Sequence, residues 1–349
     1  MTEALQKLLE KVDEKTVLSV VGPTATGKTA LALEIAEKLL VDYPNWAGID
    51  IISADSRQVF VDLPIVSGAD VPPAFSTETD RTLPYPFFER VEADNRITRL
   101  HGLGIVVARA QWSVADFLRL VQAVLASALA VGRGVILVGG TGLYHAQVFN
   151  QDLAILPGPD EVLRAELVNL AVPDLQAKLA DLAPERLEAM NDSDRANSRR
   201  LVRAIEQVVG AQELAQSDPQ PQSQSAPLLK PAQHLVIACQ AEIEVLEKRI
   251  EARIEQRLAA GALEEVQALL VQFVDSVEPE ILSDFITSDQ FSAWPILTTT
   301  GVRELGAHLA GQVDLETARA NWLTRERQYA RSQQTWWRSH QVDLELELV

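Results

Sequence analysis

Apolar stretches too short for helices alternate along this chain with longer stretches of helical period. The run Val17-Leu18-Ser19-Val20-Val21 predicts a buried strand, and the helix after it keeps Ala32, Ile35, Ala36, Leu39 and Leu40 on one face and ends before Tyr43-Pro44. Ile49-Asp50-Ile51-Ile52 predicts a second strand. Trp112 to Val131 reads as a long helix with Ser113 as cap and Asp116 three residues on, and Gly132-Arg133-Gly134 stops it. Val135 to Val138 is wholly apolar, as a strand buried on both faces requires. A last strand is expected at Leu235 to Ala238, before a basic helix from Glu242 to Leu258 that Gly261 ends. Other stretches are less regular. Residues 62–100 carry Pro64, Pro72, Pro73, Pro84 and Pro86, which interrupt any period, and read as irregular. Pro157 to Val209 is helical without a convincing strand, and 211–233, rich in Gln, Ser and Pro, reads as a flexible surface loop. Around Phe285 to Trp294 the sequence is uninformative, and two helical stretches with a turn near Gly311 close the chain.

The first strand runs straight into Gly22-Pro23-Thr24-Ala25-Thr26-Gly27-Lys28-Thr29, a phosphate-binding loop in its required strand-turn-helix setting. Its glycines let backbone N–H groups turn inward on phosphate oxygens, Lys28 adds charge at the far phosphate, and the Thr29 hydroxyl can hold Mg²⁺. The positive end of the following helix dipole points at the same place. This places the chain in the α/β class, with a P-loop NTPase-like parallel sheet flanked by helices. The first part of that core is expected in 1–156, a helical insertion in 157–210, the loop in 211–233, and the rest of the core with C-terminal helices in 234–349. The second strand leads into Ser53-Ala54-Asp55-Ser56-Arg57-Gln58, at the sheet edge where such folds bind ligands. There Asp55 is open to three roles: magnesium ligand, general base or helix cap. Gly139-Gly140-Thr141-Gly142-Leu143-Tyr144 brings a hydroxyl to the end of another strand.

Composition qualifies the picture. With 349 residues, 47% of them hydrophobic, the chain is long enough for about two domains and a sizeable core. The single cysteine, Cys239, excludes an intramolecular disulfide, fits a reducing compartment, and is expected to be a buried core residue. Met1 to Lys15 mixes charges with helically spaced leucines and lacks the apolar heart of a signal peptide. No apolar run reaches the length of a membrane span, Leu120 to Val131 coming nearest, so a cytoplasmic protein without a membrane partner is expected. The net charge of −18 argues against a polyanionic partner. Yet the basic residues cluster at Arg195 to Arg203, at Lys248 to Arg257 and at Arg319 to Arg338, whereas Asp343 to Glu347 forms an acidic tail expected to be solvated.

Taken together these motifs resemble the tRNA dimethylallyltransferases, or isopentenyl transferases. The resemblance rests on the phosphate loop, Asp55 to Gln58, Gly139 to Tyr144, Arg199 to Glu206, Arg249 to Arg253 with Gly261 to Val266, and Gln328 to Arg331 with Thr335-Trp336. It implies transfer of a dimethylallyl group from dimethylallyl diphosphate to the exocyclic amine of the adenine just 3′ of the anticodon. Asp55 would then be the general base, beside Thr141 at the target nucleotide, and Arg253 would reach the diphosphate. Gly22, Thr24, Ala25, Thr26, Gly27, Lys28 and Thr29 would bind that group, Thr29 through Mg²⁺. An aromatic amine is a poor base, so the carboxylate has to act by its position. Ser56, Arg57, Gln58, Arg164, Arg199, Arg200, Arg203 and Arg303 would contact tRNA, and a monomer is expected.

The sequence also departs from that family at Val66 to Pro72, at His101 to Gly104, where His101 reads as structural, at Gly301-Val302 and at Ala330 to Gln333. These positions are mostly RNA-facing or in loops and spare the diphosphate site. Two other readings stay open: a small P-loop kinase binding ATP, in which Asp55 substitutes for the Asp that Val135 to Val138 does not end in, and a catalytically silent tRNA-binding relative.

Overall fold

The computed structural model describes residues 2–149, 160–167, 170–217, 233–276 and 278–347. The chain divides into two compact units, Met1–Phe149 with Leu229–Val349, and Asn150–Leu228.

The larger unit is built on β1 (Thr16–Val21), β2 (Gly48–Ser53), β3 (Ser76–Glu78), β4 (Phe87–Val91), β5 (Ile97–His101), β6 (Arg133–Gly139), β7 (Gln233–Gln240) and β8 (Leu344–Glu347). They form one sheet in the order β3-β4-β5-β2-β6-β1-β7-β8, parallel from β5 to β8, with β3 and β4 antiparallel at one edge. Every residue of β1, β2 and β6 is buried, as their apolar runs require of strands covered on both faces. Helix Lys28–Asp42 packs Leu31, Ala32, Ile35, Ala36, Leu39 and Leu40 into the core on one side. Helix Val114–Val131, with a Ser113/Asp116 capping box, packs Phe117, Leu120, Val121, Val124, Leu125 and Ala128 into the other. At 18 residues this helix is, against expectation, long and apolar enough to cross a membrane, since Asp116 and Arg119 are its only charged residues. Its six buried positions recur at helical spacing and face the core, as in a helix that covers a sheet.

A buried charge cluster ties three neighbouring strands together. Asp50 of β2 bonds His101 Nε2 of β5 at 2.7 Å and accepts from Arg133 Nε of β6 at 2.6 Å, which gives His101 the structural place expected of it. These partners outweigh the burial of Asp50 and hold its carboxyl below the usual range.

Three expectations about elements are corrected, and one stretch that the sequence left open is settled. Residues 62–100 contain β3, β4 and β5, because their prolines lie in the connections and leave each short strand intact. The acidic tail is not free in solvent: β8 pairs with β7 and buries Leu346 while Glu345 and Glu347 point outward, a period-two pattern that charge alone conceals. The stretch left open, Phe285 to Trp294, is mostly helical, within Pro279–Thr287 and Asp289–Ala293, and its Phe285 and Trp294 rings pack on Phe273. The helix expected to end at 210 runs from Ser198 to Ser217, since Ala211 to Gln216 are good helix formers ahead of Pro219. The rest of the expected loop, 218–232, lies outside the described residues.

The smaller unit is helical, with Leu167, Leu175, Leu179, Leu201, Val202 and Ile205 forming its own core. Glu206 is buried in it and receives a two-pronged bond from Arg164, at 2.9 and 3.0 Å.

Candidate active site

Three loops leave the carboxyl ends of β1, β6 and β2, which are adjacent in the sheet, so topology alone sets them side by side. The loop after β1 wraps the start of helix Lys28–Asp42 with Ala25 and Gly27 at φ of 62° and 82°, which turns successive N–H groups toward one point. Gly22 has φ 137°, and a Cβ there would sit 2.3 Å from the Cys239 carbonyl of β7, so only glycine lets the loop leave the sheet. Thr26 Oγ1 donates to the Pro23 carbonyl at 2.8 Å and Lys28 Nζ donates to the same oxygen, closing the loop on itself. Burial draws Lys28 down to about 8; Arg253 adds to that effect and Asp55 opposes it.

The loop after β2 presents Asp55. Its Oδ1 accepts from the Arg57 backbone N–H at 2.9 Å, and no helix begins there, so the cap reading is set aside. Lys28, Thr29, Asp55 and Arg253 line one pocket of 260 Å³, joined by the glycines after β6. That pocket shares Thr29, Gln58, Asp70, Val138 and Arg253 with a smaller chamber of 80 Å³, to which Leu33, Ile51, Leu100 and Leu103 contribute apolar walls. Arg253 Nη1 donates to Thr24 Oγ1 at 3.0 Å.

On the other side of Asp55 lie Tyr144, Tyr329 and Arg57. Burial and then the Asp55 charge raise both phenols well above their ordinary range, and burial lowers the Arg57 guanidinium. Thr141 Oγ1 is buried there; the Tyr329 hydroxyl approaches it without forming a regular hydrogen bond. The helix Leu315–Arg338 supplies this wall and also Gln333, which accepts from the Thr24 N–H at 2.8 Å. It lies so close to the loop after β6 that a Cβ on Gly142 would fall 1.9 Å from Trp336 Nε1.

Most of the other expected contacts are engaged within the chain. Arg57 donates to the Pro295 carbonyl, and Gln58 bridges Ser53 Oγ and the Gly68 carbonyl, each at 2.8 Å. Arg303 bonds the Ile286 carbonyl at 2.7 Å and lies over the Phe291 ring. In the smaller unit Arg164 and Arg203 face Glu206 and Arg200 pairs with Asp194, whereas Arg199 is exposed. Sequence reasoning missed Asp70, Tyr329 and Gln333 as parts of the site. Tyr329, Gln333 and Trp336 share one face of the last helix by their spacing, which could have marked the last two of the three as a pair; Asp70 lay in a stretch read as irregular.

A loop of the P-loop pattern at the end of a parallel sheet, in one pocket with the Asp55 carboxylate, places the chain in the P-loop-like α/β class. The family described as IPP transferase matches residues 90–340, and the chain belongs to that family. It is 32% identical to a tRNA dimethylallyltransferase of Moorella thermoacetica over 92% of this chain and 86% of the relative. It is 33% identical to one of Maricaulis maris over 92% and 89%. A tRNA isopentenylpyrophosphate transferase of Bacillus halodurans has a similar fold, with a TM-score of 0.55 at 24% identity over 96% of this chain and 90% of that one. So does a eukaryotic dimethylallyltransferase solved acting on tRNA, with a TM-score of 0.65 at 19% identity over 96% and 74%.

Proposed function

We propose that the protein transfers the dimethylallyl group of dimethylallyl diphosphate to the N6 amine of the adenosine next to the anticodon in tRNA. One observation carries this reading: the pocket that contains Lys28 and Thr29 also contains Asp55 and opens into a smaller chamber with an apolar wall of Leu33, Ile51, Leu100 and Leu103. A kinase site would need a second polar substrate where Leu33, Ile51, Leu100 and Leu103 stand.

The diphosphate lies in the loop, with Lys28 and Arg253 on its oxygens and the five-carbon tail against the apolar walls. The flipped adenine enters between Tyr144 and Tyr329, where the buried Thr141 hydroxyl offers the hydrogen bond it otherwise lacks. The amine attacks the first prenyl carbon, the carbon–oxygen bond breaks, and its electron pair leaves on the diphosphate. The amine proton passes to Asp55. Cations fixed around the departing group stabilise charge that grows only as that bond breaks. The residues suit a magnesium ion: Thr29 has an exposed hydroxyl and shares the pocket with Asp70, and Mg²⁺ prefers few protein ligands with phosphate oxygens and water completing its shell. When bound it supplies further positive charge to the leaving group.

The test is incubation with radiolabelled dimethylallyl diphosphate, Mg²⁺ and unmodified tRNA, with ATP turnover followed in parallel. Label is expected in tRNA at one adenosine; ATP consumption with unlabelled tRNA would sink the proposal.

A further inference from the structure

A second cleft, of 750 Å³, adjoins the transfer pocket along the phosphate-binding loop. One wall is the outer side of that loop, Ala25 to Gly27; the other is helix Ile243–Ala259, which presents Arg249, Arg253 and Arg257 at four-residue spacing. Arg253 lines this cleft and the transfer pocket alike, as do Ala25, Gly27, Ala30 and Asp70, so the two are continuous, whereas Arg249 and Arg257 belong to the cleft and not to the pocket.

Arg257 is the unusual member. It is 8% exposed, its Nε is buried without a hydrogen-bond partner, and its ion-pair partner Glu326 stands 3.5 Å away. It also lies beside a like charge: a Cβ on Gly68 would meet Nη2 of Arg253 at 2.2 Å and Nη2 of Arg257 at 2.4 Å, so both forks converge on that one glycine. Burial first and then the Arg253 charge draw Arg257 down to about 10, against the opposing pull of Glu326, Asp70 and Asp55. A buried fork with an idle donor next to a second fork is destabilising until an anion accepts from both. Asp70 and Glu34 also line the cleft, and Asp70 lies within electrostatic reach of Arg257, so an anion bound there competes with that carboxylate for the fork.

We infer that Arg257 and Arg253 form a second anion site on the outer side of the phosphate-binding loop, and that this site takes a diphosphate group. The inference rests on the proposed function for the inner site only. The group comes either from the prenyl donor on entry or from the inorganic diphosphate released by transfer, and it passes between the sites on Arg253.

The test is calorimetric titration of the full chain, in Mg²⁺, with inorganic diphosphate and separately with the non-cleavable thio analogue of the donor. The wild-type protein is expected to bind two equivalents of inorganic diphosphate. Arg257→Met should keep one and weaken the other at least about tenfold, while Lys28→Ala should keep the one that Arg257→Met loses. Retention of the inner equivalent shows that Arg257→Met is folded. Two equivalents of the thio analogue as well identify an entry site; two of diphosphate with one of analogue identify a release site. A single Lys28-dependent equivalent in the wild type, or two in Arg257→Met, overturns the outer site and leaves the transfer reading standing. Absence of the Lys28-dependent equivalent overturns the transfer reading instead.

Discussion

Asp55 and Lys28 share a pocket but make different demands on it. Asp55→Asn keeps the shape and the acceptor for the Arg57 N–H while removing the base. Turnover is expected to fall by about 10²- to 10⁴-fold, with binding of the prenyl diphosphate within a factor of about two, measured by single-turnover transfer and by equilibrium binding. Lys28 gives the pH dependence. In the ligand-free protein burial holds it near 8, and only its charged form attracts diphosphate. Below that value the charge is present in free and bound protein alike, so affinity is flat. As pH rises through it, binding must take up a proton, and the dissociation constant should grow toward tenfold per pH unit between about pH 8 and 9.5. Lys28→Met should remove both slope and proton uptake, measured by titration in buffers of different ionisation enthalpy.

The geometry of these residues is set by elements that cross. Asp50 joins β5, β2 and β6 beneath the site, so Asp50→Ala strands Arg133 as an unpaired buried charge. A loss of about 3 to 5 kcal/mol is expected in urea unfolding. Asp50 has a depressed folded pKa, so its contribution is full above the ordinary carboxylate value and disappears as pH falls through the lowered one. At the other crossing, helix Leu315–Arg338 rests on the loop after β6 with no room for a methyl on Gly142. Gly142→Ala should cost about 1 to 3 kcal/mol and impair transfer more than donor binding, because Thr141 and Tyr329 must separate; thermal melts and the ratio of kcat to KM effects check this. Neither partner could be chosen from the sequence. The glycines after β6 and the tryptophan of the last helix are nearly two hundred positions apart, and nothing local says that they touch.

For the molecule as a whole, a net charge of −18 sets the terms of RNA binding. Such a protein repels unstructured polyanions, so its tRNA contacts have to be local, and much of the arginine that suggested them is held by carboxylates or carbonyls. Arg199 is exposed in the smaller unit. Arg199→Ala should reduce the slope of log affinity against log salt by roughly 0.7 to 0.9, as loss of one phosphate contact does; filter binding across a salt series measures it. An unchanged slope would place the tRNA elsewhere.

What the chain alone determined is the machinery that is contiguous in it. Eight residues from Gly22 to Thr29, the apolar runs of β1, β2 and β6, and the loops that leave them follow from local chemistry: glycine torsions, short buried strands and a helix start aimed at phosphate. Asp55 and Thr141 could be placed at strand ends for the same reason. Only the tertiary structure decided which strands are neighbours, that Gln333 and Tyr329 close the site from the far end of the chain, that Arg57, Arg164 and Arg303 have partners of their own, and that β3 to β5 and β8 are strands at all. Those facts depend on pairing between segments distant in sequence. There a residue's role is fixed by what packs against it, and charge or proline content read along the chain points the wrong way.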